Sequence, residues 1–215
     1  VKIGLPVPMG FTVTTEACLD YYEEGGKISE AILSQIEEAL KELEKTMGKK
    51  LGDGTNPLLV SVRSGAVISM PGMMDTILNL GLNDDTVKAL ADATDNERFA
   101  YDSYRRFIQM FSSVVKEVEL DKFESILHSH KENNNIIEDC EVDAQGWKDV
   151  VASYKELYKA ELGEEFPQDP KIQLLLSIEA VFRSWNNQRA KVYRRINKIP
   201  DDLGTAVNVQ TMVFG

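Results

Sequence analysis

Residues 57–65 read PLLVSVRSG, and this stretch decides the fold. Its first six residues form a short apolar run between turn-forming residues, which is typical of a buried strand. Arg63 follows the run directly, and Gly65 allows the backbone to turn away from the strand. Residues 77–80, ILNL, predict a second short strand that Gly81 closes. The sequence therefore predicts a sheet with a permanently charged side chain just past the end of one buried strand.

The composition is that of a globular chain with a substantial core. The 215 residues carry a net charge of −11, with 43% hydrophobic and 27% charged residues. These values exclude a disordered chain, a collagen-like repeat and a disulfide-stapled miniprotein. The acidic balance argues against nucleic acid as a partner, because nucleic acids favour a basic surface. No apolar run reaches the roughly 18 residues that span a bilayer, so we expect no membrane partner.

Hydrophobic periodicity assigns most of the remaining chain to helices. A strand is predicted at 11–13, a helix starts at the hydroxyl and carboxylate side chains of 14–16, and a second helix occupies 29–47. Between 84 and 165 strand signals give way to helical stripes, with an exposed loop at 131–135. A long helix is predicted over 171–197, and alternating valines predict a strand at 205–214.

These elements predict an α+β chain with four parts. Residues 1–83 form a first α/β subdomain, and residues 84–167 form an inserted helical subdomain. Residues 168–202 are a return helix that packs on the first subdomain, and residues 203–215 are the first strand of a further, truncated subdomain. Because a lone strand at the end of a chain needs a partner, we expect more sequence to follow it.

The strongest candidate for chemistry is the segment from the buried strand to Thr76. A guanidinium held at the end of a rigid strand presents a fork of donors that matches phosphate oxygens, which makes Arg63 a candidate phosphate ligand. Gly65 and Gly72 let the backbone approach a ligand, and Thr76 offers a hydroxyl near the same loop. The alternative interpretation is a structural arginine at a sheet edge beside an ordinary loop.

Two other groups of residues have both a structural and a functional interpretation. His128 and His130 are two residues apart on a predicted helix, so they point in different directions and are interpreted as exposed helix residues. A basic cluster ends the long predicted helix, where cations favour the helix dipole. The same cluster could dock an acidic or phosphorylated partner, with Arg189 as the central residue. Its members are Arg183, Arg189, Lys191, Arg194, Arg195 and Lys198.

The chain begins without methionine and without the features of a secretion signal. We therefore expect either that an upstream segment has been removed or that the chain is a piece of a longer protein. Cys18 and Cys140 lie far apart, and neither has the spacing of a metal ligand. Two free thiols in an acidic chain favour the reducing cytoplasm over a disulfide.

Long stretches of the sequence closely resemble the pyruvate, phosphate dikinase family. The family signature matches SVRSGA at 61–66 and SMPGMMDTILNLGLND at 69–84. Further similar stretches lie at 4–8, 10–18, 99–111, 180–185 and 204–215. The similarity covers nearly the whole chain and is poor only over about 120–145.

This resemblance implies part of an ATP-grasp type nucleotide-binding domain with an inserted helical subdomain. In the family, a pyrophosphoryl group passes from ATP to a histidine on a separate swivelling carrier domain. Orthophosphate takes one phosphoryl, and the phosphohistidine then phosphorylates pyruvate to phosphoenolpyruvate. The resemblance places Arg63 at the triphosphate, where it would act in catalysis, with Gly72 and Thr76 on the nucleotide-side loop. It places Gln210 and Met212 on the strand that passes the adenine edge.

The resemblance also implies parts of the site that lie outside this chain. A glycine-rich segment with a phosphate-binding lysine should precede Val1, and a glycine-rich loop with the Mg²⁺ ligands should follow Gly215. We therefore expect that the isolated chain does not turn over ATP. Arg189 would receive the carrier domain, and the parent would be a cytoplasmic homo-oligomer. The alternatives are a fragment of a sibling phosphoenolpyruvate synthase or water dikinase, and a non-catalytic interaction module of the same fold.

Overall fold

A computed structural model describes residues 7–213 of the chain. Its main sheet is formed by β1 (Gly10–Val13), β4 (Val60–Gly65), β5 (Thr76–Leu80) and β6 (Ala206–Thr211). The four strands are antiparallel and lie in the order β1, β6, β4, β5. Two short parallel strands, β2 (Lys50–Leu51) and β3 (Pro57–Leu58), form a separate pair. Residues 4–6 of the motif at 4–8 and residue 214 of the strand predicted at 205–214 lie outside the described residues.

The described residues also form eight helices. Where a helix begins, a polar side chain often caps it: Asn96 accepts from the Phe99 amide and Asp143 from the Gly146 amide. Gly48 ends one helix in the left-handed conformation that glycine favours. The helices are α1 (Thr15–Glu23), α2 (Glu30–Met47), α3 (Thr86–Thr94), α4 (Glu97–Val115), α5 (Leu120–Asn133), α6 (Ala144–Leu162), α7 (Pro170–Ser184) and α8 (Gln188–Asn197).

The structure confirms the α+β class and corrects three predicted elements. The helix predicted over 171–197 is two helices, because the chain turns at 185–187 and Asn187 caps α8 through the Ala190 amide. Helix α5 continues to Asn133, so only the end of the stretch at 131–135 is a loop. The strand at the end of the chain has its partners here, since β6 pairs with both β1 and β4.

The pairing of β6 was not predicted by the sequence. The strand is hydrogen bonded between β1 and β4 in the main sheet. Alternating valines indicate a strand but carry no information about which distant strands it joins. The four predicted parts of the chain, with boundaries at 83, 167 and 202, remain predictions.

One continuous core joins the sheet to the helices. Val62 and Val209 in the sheet belong to the same cluster of buried residues as Phe107 and Trp147 in the helices. Phe166 lies at its centre, with ring centroids 5.4 to 6.3 Å from those of Tyr104, Phe107, Phe111 and Tyr158. Within residues 7–213, no helix is both long enough and apolar enough to cross a membrane.

Candidate functional site

The main sheet has one apolar face and one polar row. Val62, Ile77 and Val209 are paired across the strands and are fully buried, and α1, α4 and α7 pack against the sheet. One residue further along, the register aligns Thr12, Asn208, Arg63 and Thr76 across all four strands. Because side chains alternate along a strand, these four project to the opposite face. The polar row is therefore a direct consequence of strand register.

Arg63 lies inside β4 rather than past its end. The sequence suggested that the strand stopped at Val62, but ladder pairing with β6 continues to Gly65. The side chain of Arg63 is exposed, whereas Val60, Ser61 and Val62 are buried. In the part of the chain that the structure describes, no side chain forms an ion pair or hydrogen bond with its guanidinium. The charge is thus held by the strand and available to a ligand.

Arg63 lines a groove of about 400 Å³ on the polar face. Thr12, Asn208 and Gln210 also line it, and two hydrogen bonds order these side chains. Thr12 Oγ1 donates to Asn208 Oδ1 over 2.8 Å, and Gln210 Nε2 donates to the Pro8 carbonyl over 3.0 Å. The groove therefore combines one cation with preorganised neutral polar groups, an arrangement suited to a phosphate-bearing ligand.

A second groove, of about 290 Å³, adjoins the first at Ser64. It is formed by the loop at 66–75, which connects β4 to β5, and Gly72 and Thr76 both line it. Gly72 has a φ of 74°, so a side chain there would strain the backbone. Thr76 is half-buried and faces Arg63 directly in the ladder. The structure thus brings Arg63, Gly72, Thr76 and Gln210 to two neighbouring grooves.

Met212 is not part of either groove. Its side chain is half-buried against the main core, and its backbone amide donates to the Leu59 carbonyl over 2.9 Å. Sequence reasoning also missed Asn208 and Thr12. Their signal was available, because Asn208 lies between two valines of an alternating strand and must share the polar face.

Arg189 is engaged within the fold. Its guanidinium Nη2 lies 2.9 Å from Asp75 Oδ1, at the end of the loop at 66–75. Burial raises the pKa of the Asp75 carboxyl, and the attraction of Arg189 opposes that effect. The ion pair joins α8 to the residue directly before Thr76.

The rest of the basic cluster divides into structural and exposed members. Arg194 is buried, donates to Asp201 over 2.7 Å and stacks on Trp185 at 4.1 Å from the ring centroid. Arg183 donates to the Val115 carbonyl over 3.0 Å. Lys191, Arg195 and Lys198 are exposed on α8 and the turn after it. The cluster is therefore only partly a surface feature.

Other candidate groups do not form a site. His128 is exposed and 3.2 Å from Glu132 on its own helix, and the structure does not bring it together with His130. Cys18 is buried and Cys140 exposed, and both are free thiols. Among residues 7–213, no three His, Cys, Asp or Glu side chains are grouped so that they could hold a metal ion.

Comparison with known proteins identifies the class to which this fold and these grooves belong. Residues 26–215 match the family model described as "Pyruvate phosphate dikinase, AMP/ATP-binding domain". The chain is 59% identical over 214 residues to a pyruvate, phosphate dikinase of Clostridium symbiosum, covering 99% of this chain and 24% of that protein. It is 52% identical over 215 residues to the pyruvate, phosphate dikinase of Giardia intestinalis, covering 100% of this chain and 24% of that protein.

A third relative is a chloroplastic pyruvate, phosphate dikinase of Mesembryanthemum crystallinum. It is 54% identical over 214 residues, which cover 100% of this chain and 22% of that protein. The matched model describes a class of AMP/ATP-binding domains. The chain belongs to the pyruvate phosphate dikinase AMP/ATP-binding domain family, and it spans about a quarter of the length of these relatives.

Proposed function

We propose that this chain supplies one wall of an ATP-binding site and that Arg63 binds the triphosphate. One observation carries the proposal: a guanidinium without an internal partner, among the described residues, stands on the polar face of the sheet and lines a groove. Arg194, by contrast, has a structural role, because it is buried and paired with Asp201. The membership of an AMP/ATP-binding family supports the same ligand.

The other predicted residues take roles that follow from their positions. Gly72 lets the backbone of the loop approach the phosphates, and the Thr76 hydroxyl stands beside Arg63 in the ladder. Gln210 shares the groove of Arg63, from which it can contact the nucleotide. Met212 directly follows β6, and its backbone amide is engaged with the Leu59 carbonyl. It would therefore contact the base edge only through its backbone carbonyl or its side chain.

We further propose that the parent protein is a pyruvate, phosphate dikinase with an ATP-grasp nucleotide site. It would transfer a pyrophosphoryl group from ATP to a histidine on a carrier domain and then phosphorylate pyruvate to phosphoenolpyruvate. Arg63 would act in this transfer by holding charge that develops on the phosphates, because positioning and electrostatics dominate phosphoryl transfer. The relatives named above are pyruvate, phosphate dikinases, which favours this reaction over that of a sibling water dikinase.

Mg²⁺ would be held by residues outside this chain, and the isolated chain would not turn over ATP. The carrier domain would land near Arg189, where Lys191 and Arg195 add exposed positive charge. We also propose a cytoplasmic, homo-oligomeric parent, and the two free thiols support a reducing compartment.

The test is calorimetric titration of a non-hydrolysable ATP analogue into the chain and into the full-length parent. Arg63→Gln removes the charge with little change of shape. We expect its dissociation constant to rise about 10- to 100-fold, since a charged hydrogen bond contributes about 1.5–3 kcal/mol. Arg195→Gln, an exposed cation on α8, is the matched control and should bind as the wild type does. Wild-type affinity in a folded Arg63→Gln parent would contradict the proposal.

A further inference from the structure

The loop at 66–75 is held by the corner between α7 and α8. Asn187, in that corner, donates from Nδ2 to the Met73 carbonyl over 3.1 Å. Ser184, at the end of α7, accepts from the Asp75 amide over 3.5 Å. Arg189, in the first turn of α8, forms the 2.9 Å ion pair with the Asp75 carboxylate. Three side chains of one corner therefore contact Met73 and Asp75 near the end of the loop.

An apolar contact in the middle of the loop reaches the same corner. Met70 is buried in a small cluster with Trp185, Ala190 and Ile199, which is separate from the main core. Trp185 is fixed in turn, because its Nε1 donates to the Asp201 carbonyl over 2.9 Å. The loop thus packs on the α7–α8 corner both in its middle and at its end.

We propose that Asp75 and Arg189 are positioning residues that hold this loop, and with it Gly72 and Thr76, in place beside Arg63. The ion pair is suited to this role because Asp75 is directly bonded to Thr76 in the chain. The Asp75 side chain is 24% exposed and that of Arg189 is 60% exposed, so the pair is open to solvent on one side. The attachment of the loop to α8 by this ion pair is called the tether below. The effect on nucleotide affinity rests on the proposed function, whereas the tether itself does not.

The tether is tested by hydrogen–deuterium exchange of the peptide that covers 66–75. Asp75→Asn and Arg189→Gln should each increase amide exchange in the loop about 1.5- to 5-fold, the range for a partly exposed ion pair. The double variant should exchange no faster than either single variant, because both changes remove the same interaction. Arg195→Gln carries the same charge change on α8 without contact to the loop and should exchange as the wild type does.

Unchanged loop exchange in both single variants would overturn the tether, and so would additive effects in the double variant. Equal melting temperatures establish that the variants are folded. A charge-exchanged pair, Asp75→Arg with Arg189→Asp, should restore slow exchange, which a general loosening of the corner would not allow. This rescue separates the ion pair from bulk stability.

The effect on nucleotide binding is measured with the same ATP analogue on the parent protein. Both single variants should weaken binding by a factor similar to their exchange factor, and the double variant should match them. Wild-type affinity in both variants would overturn the positioning role even where the loop exchanges faster. Absence of binding in the wild-type parent contradicts the proposed function instead, and the exchange data still decide the tether.

Discussion

Gly10 is the most constrained residue of the groove that contains Arg63. It pairs with Gln210 across β1 and β6, and any side chain there would project toward the neighbouring strand. A Cβ atom at this position would overlap the Val209 carbonyl oxygen and lie 2.9 Å from Gln210 Cα. Both obstacles are backbone atoms of the central strand, so they cannot rotate away as a side chain would.

Gly10→Ala should therefore lower the free energy of unfolding by about 1–3 kcal/mol, the usual cost of overpacking. Urea denaturation followed by far-ultraviolet circular dichroism measures the change. Gly54→Ala is the matched control, because no atom lies within 4 Å of its added Cβ. We expect the control to stay within about 0.5 kcal/mol of the wild type. A Gly10→Ala chain as stable as that control would show that β1 shifts freely at this point.

The sequence named candidate residues that the structure places at two neighbouring grooves, but it did not predict their geometry. Arg63 was predicted because a charge after an apolar run is conspicuous, and Gly72 and Thr76 followed from their loop. The exact end of β4 was missed, because Arg63 to Gly65 extend the strand through pairing with β6, and Arg63 also pairs with Thr76 of β5. The ion pair of Asp75 with Arg189 joins residues 114 positions apart, and no local pattern indicates it.

At the level of elements, Tyr22 connects α1 to the end of α7. Its hydroxyl donates to the Phe182 carbonyl over 2.6 Å, and Tyr21 beside it packs its ring 5.4 Å from that of Phe182. Burial raises the pKa of Tyr22 to about 12, because the phenolate would lose water on the inside of the fold. The neutral phenol is thus the form that the folded chain favours.

Tyr22→Phe should lower the free energy of unfolding by about 0.5–1.5 kcal/mol at neutral pH, the net value of one hydrogen bond. A raised pKa means that the unfolded chain loses the proton first, so this contribution to stability falls as the pH rises from about 10 to about 12. The alkaline loss of stability should therefore be smaller in Tyr22→Phe than in the wild type. Urea titrations at pH 8, 10 and 11 measure it.

Tyr193→Phe is the control for this comparison, because no hydrogen bond of its hydroxyl is formed within residues 7–213. Other buried tyrosines, including Tyr104 and Tyr154, also have raised pKa values from burial and give all variants a common alkaline loss. An alkaline loss in Tyr22→Phe equal to that of Tyr193→Phe would contradict the role assigned to Tyr22.

Periodicity predicted which segments are helices and which are strands. It did not predict where a helix breaks or which strands pair. Helical spacing continues through 185–187, so the pattern gave one helix where the structure has α7 and α8. The break is made by tertiary contacts, since Trp185 enters the small cluster and Asn187 bonds both α8 and the Met73 carbonyl. The central place of β6 likewise depends on pairing with distant strands.

At the scale of the whole molecule, the helical part and the sheet are physically joined. The Leu78 amide of β5 donates to Met110 Sδ of α4 over 3.2 Å. Gln173 of α7 is fully buried, accepts from the Gly81 amide and donates to the Leu82 and Pro167 carbonyls. These contacts add to a core that extends from Val13 to Val209. We expect such a core to unfold as one unit.

Phe166 gives a direct test of that cooperativity. Its ring is buried among aromatic rings of α4 and α6. Phe166→Ala should therefore lower the free energy of unfolding by about 3–5 kcal/mol. If the core is one unit, amides of β4 and β6 should lose the same protection from hydrogen exchange as amides of α4. Phe166→Leu is a milder variant for use if the alanine chain does not fold. Loss of protection confined to α4–α6, with β6 unchanged, would show instead that residues 84–167 are an independently unfolding subdomain.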